Sequence, residues 1–230
     1  MRKVATTGCL LVLLFTSLAA QQPAVRQPAA PQPQGQQGLT DAMVQTAAIE
    51  VPRLIELLQL KPGMTIADVG AGFGAWTVAF GKYVGPSGRV YATDIGEKQL
   101  AFLREYAKKE GLNNVTVLPS AERSTNLPAS CCDAILIRDA FHHFTQPNDF
   151  LKSVAASLKP GGRLALIDFP PRPDSQVPAG VPANRLGHGV PMQVVIKEVT
   201  ATGLTQVSAE PKWSATRQPS DLFLVLFRKP

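Results

Sequence analysis

Cysteine and histidine are both scarce: the 230 residues include three of each. Cys131 and Cys132 are neighbours, and neighbours rarely bridge one another because short-range geometry strains the bond, so no disulfide framework is expected. No C-x-x-C or H-x-x-x-H spacing occurs, and no metal site is expected. A dense run of basic residues is missing too. Setting aside Arg2 and Lys3 leaves 21 of the 23 basic residues against 17 acidic ones, a balance of +4 spread along the chain that gives nucleic-acid binding little support. No apolar run approaches the roughly 20 residues that a membrane-spanning helix needs, and no repeat of the solenoid type is visible.

The first forty residues read as an address and a tether. Arg2 and Lys3 supply positive charge, Cys9 to Phe15 is unbroken apolar sequence, and Ser17-Leu18-Ala19 offers small residues for cleavage. Residues 1–20 are therefore expected to be an export signal, which makes the protein periplasmic or secreted. An uncleaved anchor is the alternative, and it leaves the domain on the same side of the membrane. Cys9 precedes the apolar core of the signal, so lipid attachment is not expected. Residues 21–38 are Gln, Pro, Ala and Gly with one charge, Arg26, too polar to offset the entropy of ordering, and read as a flexible linker. That leaves residues 39–230 as one domain, with 45% apolar residues in the whole chain to build its core.

Within that domain, strand and helix patterns alternate. Thr40-Asp41 starts a helix, and Pro52 to Leu58 reads as a second one. Thr65–Val69 is a β-branched run that meets glycines at once, and Gly74 to Val84 has helical spacing. Strands follow at Arg89–Thr93, Val115–Leu118, Ala134–Ile137 and Arg163–Ile167, with helices over Glu97–Glu110 and Asn148–Leu158, the latter ended by Pro160-Gly161-Gly162. After a proline-rich stretch from Phe169 to Gly189, read as an ordered-to-mobile loop, come a helix over Met192–Ala201 and two strands, Thr205–Ala209 and Leu222–Phe227, too close for a helix between them. The expected fold is α/β: a doubly wound, mostly parallel, seven-stranded sheet closed by an antiparallel strand pair. Ligands of such sheets lie at the carboxyl ends of the strands.

Chemistry concentrates at those ends. Asp68-Val69-Gly70-Ala71-Gly72-Phe73-Gly74 puts an acid at the end of the first strand and glycines where the chain turns, so that backbone and ligand can approach without a Cβ between them. Asp94 ends the second strand twenty residues past Gly74, where a carboxylate can accept two hydrogen bonds from ribose hydroxyls. Gly70, Gly72 and Ala75 also fit G-x-G-x-x-A, which keeps a nicotinamide or flavin site in view. A pyrophosphate, however, disfavours an acid such as Asp68 at the mouth of the loop, and the terminal strand pair is a second argument against it.

Asp68 to Gly74, Asp94, the Leu158-Lys159-Pro160-Gly161-Gly162 turn and the closing strands together resemble class I S-adenosylmethionine-dependent methyltransferases, over roughly residues 40–230. The resemblance implies a Rossmann-like methyltransferase fold with S-adenosyl-L-methionine as cofactor. It implies that Gly70 and Gly72, with Ala71 and Gly74 completing the loop, pass beneath the methionine part. Asp68 would help to hold the ammonium, Asp94 the ribose, and Ile95 would pack on the adenine. An amide and a carboxylate in Ser120-Ala121-Glu122 would read the adenine edge, and the main-chain carbonyl of Arg138 would face the ammonium. Asp133, Arg138, Asp139 and Phe141-His142-His143-Phe144 resemble the ubiquinone-biosynthesis-like branch, whose members act on many small molecules.

Methyl transfer needs alignment and exclusion of water, and a base only where the acceptor carries a proton. Catalytic candidates are His142, His143 and Asp139, with His188 as an acceptor-side residue and Asp168 as a brace for the next loop. The leading expectation is an enzyme that methylates a small-molecule acceptor. Rivals are a non-catalytic nucleotide-binding domain and an NAD(P)-dependent oxidoreductase.

Overall fold

A computed structural model describes residues 38–213 and 221–230. The expected signal and all but the last residue of the linker lie outside the described residues. The elements run α1 (Asp41–Leu58), β1 (Thr65–Val69), α2 (Ala75–Val84), β2 (Arg89–Asp94), α3 (Glu97–Lys109), β3 (Val115–Pro119), β4 (Cys132–Arg138), α4 (Pro147–Ser157), β5 (Leu158–Asp168), α5 (Met192–Thr200), β6 (Thr205–Glu210) and β7 (Phe223–Arg228). They form one seven-stranded sheet in the order β3-β2-β1-β4-β5-β7-β6. The first five strands are parallel, and β7 is antiparallel to both β5 and β6. The doubly wound sheet with a terminal antiparallel pair is the architecture expected from the sequence.

Strands covered on both faces need apolar side chains on both, and β4 supplies them. Ile135 and Ile137 pack into one core cluster with α4 and α5, while Ala134 and Leu136 join a second with α1 and α2. No helix among the described residues is long and apolar enough to cross a membrane.

Three local features differ from expectation. Pro52 does not begin a second helix: α1 runs through it as one element of 18 residues, capped by the Thr40 hydroxyl oxygen accepting the Met43 amide at 3.2 Å. A proline inside a helix costs about 3 kcal/mol, whereas each buried aliphatic side chain contributes roughly 1.5–3 kcal/mol. Val51, Leu54 and Leu58 are all buried on the stripe that Pro52 interrupts, and packing prevails. The Pro160-Gly161-Gly162 turn does not separate helix from strand either. Leu158 already pairs with Cys132, and the register shifts before Ala134 meets Arg163, so the turn is a bulge inside the ladder. Finally, Cys131 and Cys132 are joined by a disulfide, against the expectation from adjacency. Cys132 opens β4 fully buried and Cys131 packs half-buried on the same cluster, so the core holds the two side chains together.

The proline-rich stretch is tied to α5 through a buried ion pair. Arg185, with no exposed surface, donates to both carboxylate oxygens of Glu198 on α5 at 2.9 and 3.0 Å, and its guanidinium lies 4.8 Å from the Phe141 ring centroid. A desolvated guanidinium is tolerable only with such a partner, and the pairing ties the loop between β5 and α5 to the body of the domain.

Candidate active site at the carboxyl edge of the sheet

The strand order reverses between β1 and β4, and a crevice opens there at the carboxyl ends of the strands. It is a cleft of about 330 Å³, within the range of small-molecule sites. Gly70 and Gly72 form its floor, Asp94, Ile95 and Ser120 to Glu122 one wall, and Asp139, Ala140, His143 to Thr145 and Phe150 the other.

The glycine wall is built from backbone geometry. A Cβ on Gly70, whose φ is +74°, would stand 2.6 Å from the Ala140 Cβ, so any side chain there would push β1 and β4 apart at their tips. A Cβ on Gly72 would meet nothing within 4 Å, because it would stand in the cleft itself. Asp94 is held from both sides: one carboxylate oxygen accepts the Gly72 amide and the other the Gly96 amide, each at 2.9 Å. Each oxygen keeps a second lone pair for a ligand. Beside it Ile95 is 65% exposed, an aliphatic platform on the wall of the cleft.

Other residues named from the sequence sit elsewhere. Asp68 is buried beneath the loop and accepts the Thr77 hydroxyl at 2.6 Å. Burial pushes its carboxyl up to about 6, with Asp94 adding to the rise and the Thr77 bond and Arg138 opposing it. Gly74 starts α2 against Leu103, and Ala71 packs into a small cluster with Leu103 and Ala92. Neither lines the cleft, nor does Arg138. The Ala121 amide, the natural donor to an adenine edge in that turn, is already given to the Ser124 carbonyl at 2.8 Å, while Glu122 stands exposed on the wall.

The opposite wall gathers imidazoles. Residues Phe141–His143 make a short 3-10 turn after β4. His142 is buried, and its Nδ1 lies 2.8 Å from Asp168 Oδ1 at the end of β5. Asp168 also accepts the amides of His142 and Phe169, so it braces the turn as expected. His143 lines the cleft, and partial burial with the two nearby imidazoles pushes it down to about 4. His188 comes in from the distant loop, with its ring centroid 5.0 Å from that of His142 and 5.5 Å from that of His143. Asp139, in the left-handed region at φ 53°, completes this wall.

Several residues escaped the sequence reading. Glu50, fully buried on α1, accepts the Trp76 indole N–H at 2.9 Å and two N–H groups of Arg138 at 2.7 and 3.1 Å. Arg138 in turn lies 4.0 Å from the Trp76 ring centroid. The signal was present: an acid on the stripe otherwise made of Ala47, Val51, Leu54 and Leu58. Thr145 lines the cleft with a buried hydroxyl that has no hydrogen-bond partner among the described residues, and no sequence pattern marks it. An orphaned hydroxyl, an open glycine floor and a doubly anchored carboxylate beside an aliphatic platform fit a nucleoside with an apolar base and polar appendages.

Residues 67–166 match the family model described as a methyltransferase domain. The chain is similar to a ubiquinone/menaquinone biosynthesis C-methyltransferase of Bordetella parapertussis, with 34% identity over 110 residues that make up 48% of this chain and 42% of that protein. A counterpart from Ectopseudomonas mendocina is 32% identical over 116 residues, 50% of this chain and 45% of its own length. The match thus spans less than half the length of these curated relatives. Among solved structures, an S-adenosylmethionine-dependent methyltransferase from Aquifex aeolicus superposes with a TM-score of 0.65 at 27% identity, covering 83% of this chain and 94% of that one. The [4+2]-cyclase SpnF shares the fold, with a TM-score of 0.64 at 16% identity, covering 81% and 82% of the two chains.

Proposed function

We infer, from its similarity to a methyltransferase domain over residues 67–166 and to a solved S-adenosylmethionine-dependent methyltransferase, that this chain is a class I methyltransferase that binds S-adenosylmethionine and transfers its methyl group to a small-molecule acceptor. The observation that carries the reading is Asp94, fixed by the Gly72 and Gly96 amides at the edge of a cleft with a side-chain-free floor. Its free lone pairs suit ribose hydroxyls, Ile95 offers the adenine a face, and Gly70 and Gly72 leave room for the methionine part. Asp68 and the Arg138 carbonyl serve the ammonium, the former through its charge from beneath the loop. Glu122 serves the adenine edge. When bound, the cofactor supplies a methyl group on a sulfonium, open to in-line displacement.

The imidazole wall then belongs to the acceptor. His143, pushed down to about 4 chiefly by burial, is neutral at physiological pH and faces the acceptor as a hydrogen-bonding group, too weak a base to hold a proton there. Asp168 holds His142 and acts as a positioning residue, and Asp139 stands beside both. The small cleft and the modest, dispersed positive charge favour a small molecule over a nucleic acid. The basic and apolar pattern of residues 1–20 supports export, with residues 21–38 as a tether for a domain over 39–230.

Calorimetric titration of the folded protein with S-adenosylmethionine and S-adenosylhomocysteine tests the reading. One site for each is expected. A folded protein that gives no heat with either would remove the assignment. Fusing residues 1–38 to a reporter active only outside the cytoplasm tests export, and a reporter that stays silent ends that part of the proposal.

A further inference from the structure

We propose that His142, His143 and His188 form a binding site for a first-row divalent transition-metal ion, with an open coordination position toward the cleft. One ligand nitrogen from each of the three rings lies within 4.8 Å of the other two. Ligands on bonds of 2.0–2.1 Å in a tetrahedral site stand about 3.4 Å apart, so modest side-chain rotation closes the set. Three imidazoles and no thiolate suit zinc, cobalt, nickel or iron better than magnesium or calcium.

The surroundings are those of a ligand set. A metal-binding histidine commonly gives its second ring nitrogen to a carboxylate, which fixes the ring and raises its basicity. His142 does this through Nδ1 to Asp168, leaving Nε2 as the nitrogen open to a ligand. Asp139 has a carboxylate oxygen within 4.8 Å of ligand atoms of His142 and Asp168, in a neighbouring group that shares only His142 with the three imidazoles.

His188 is placed by built geometry. It lies between Gly187 and Gly189, and a Cβ on Gly189, whose φ is +126°, would stand 2.6 Å from the Pro170 carbonyl oxygen. The His188 amide donates to the Ser175 hydroxyl at 2.8 Å, and its carbonyl accepts the Arg172 amide at 3.0 Å. The Arg172 guanidinium, a cation that His188 feels, is stacked on the Phe169 ring at 4.6 Å. Phe169 also packs against His142, with ring centroids 4.5 Å apart, and provides the apolar collar that strengthens coordination. His143 belongs to both the triad and the cleft, which puts the open position on the acceptor side. That an acceptor oxygen or nitrogen would bind there rests on the methyl-transfer reading; the metal site itself does not.

The test uses full-length protein without a histidine tag, stripped by chelator and titrated with zinc and cobalt salts by calorimetry and visible absorption. One ion per chain and the absorption bands of nitrogen-ligated cobalt are expected. His188→Ala should weaken binding at least tenfold without moving the melting temperature of the metal-free protein. Asp168→Asn should weaken it 10–100-fold, as outer-sphere partners do. Should His188→Ala fail to fold, His143→Ala, at an exposed position, carries the same comparison. Binding without a defined stoichiometry, or unchanged in the His188 or His143 variant, overturns the site. S-adenosylhomocysteine is titrated in parallel: loss of metal with that affinity kept sinks the metal alone, and the converse sinks the methyl-transfer reading alone.

Discussion

The two walls of the cleft are made by opposite means. The glycine floor and the Asp94–Ile95 part of its wall come from one continuous stretch, β1 to just past β2, with only Ser120 to Glu122 added from beyond β3. The imidazole wall is assembled from three separate places: the segment after β4 from Asp139 to His143, the end of β5, and a loop residue 45 positions beyond His143. Each wall also leans on an arginine–glutamate pair: Arg138, 13% exposed, on the fully buried Glu50, and the fully buried Arg185 on Glu198. A wall that is local in sequence needs bracing only from behind. A wall gathered from distant segments depends on the tie that holds its farthest member.

The largest effect should come from breaking that bracing. Glu50→Ala leaves the largely covered Arg138 guanidinium without its partner, and removing one member of a buried pair costs at most about 3–5 kcal/mol. A drop of that size in thermal or denaturant unfolding is expected, with Glu50→Gln milder because it still accepts from Trp76. Glu198→Ala should act differently. It unties Arg185, so protease cutting within residues 169–191 should appear while affinity for S-adenosylhomocysteine is kept. If both variants lower global stability equally and neither exposes the loop, the walls are not braced independently.

A smaller effect separates the walls by ligand. Asp94→Ala removes the acceptor for ribose and for the Gly72 amide. Hydrogen bonds to a charged group contribute about 1.5–3 kcal/mol, so affinity for S-adenosylhomocysteine should fall roughly 10–100-fold in calorimetry. Cobalt absorption at the imidazole wall should stay as in the unaltered protein. Equal loss of both ligands would show one coupled site.

What the sequence disclosed follows the same division. The sheet, its order of strands and helices and the glycine floor were legible because each rests on contiguous patterns: alternating apolar runs, glycines at a strand tip and an acid at the next tip. The imidazole wall was legible only as candidates. Nothing in the spacing of positions 142, 143 and 188 suggests a shared site, since that depends on how the proline-rich loop folds back. Glu50 and Arg138, 88 residues apart, are joined only when α1 packs beside β4. Pro52 misled because local propensity was weighed without the packing that overrides it. The Cys131–Cys132 bridge misled because adjacency says nothing of burial.

The smallest effect concerns Asp68, which lies under the glycine wall without lining the cleft. Its carboxyl is raised from 3.8 to about 6, so the folded protein holds more protons than the unfolded chain between those values. Stability of the unliganded protein should therefore decline as pH rises through that window. Ligand binding should show the reverse trend. A cation above the loop favours the ionised form, and if it restores an ordinary carboxyl, affinity should fall about tenfold between pH 7 and pH 5. Calorimetry in buffers of different ionisation heat should detect proton release near pH 6, and Asp68→Asn should abolish both the slope and the release. An affinity that stays flat between pH 7 and 5 would mean that Asp68 serves only Thr77. The electrostatic grip of the glycine wall would then rest on Asp94 alone.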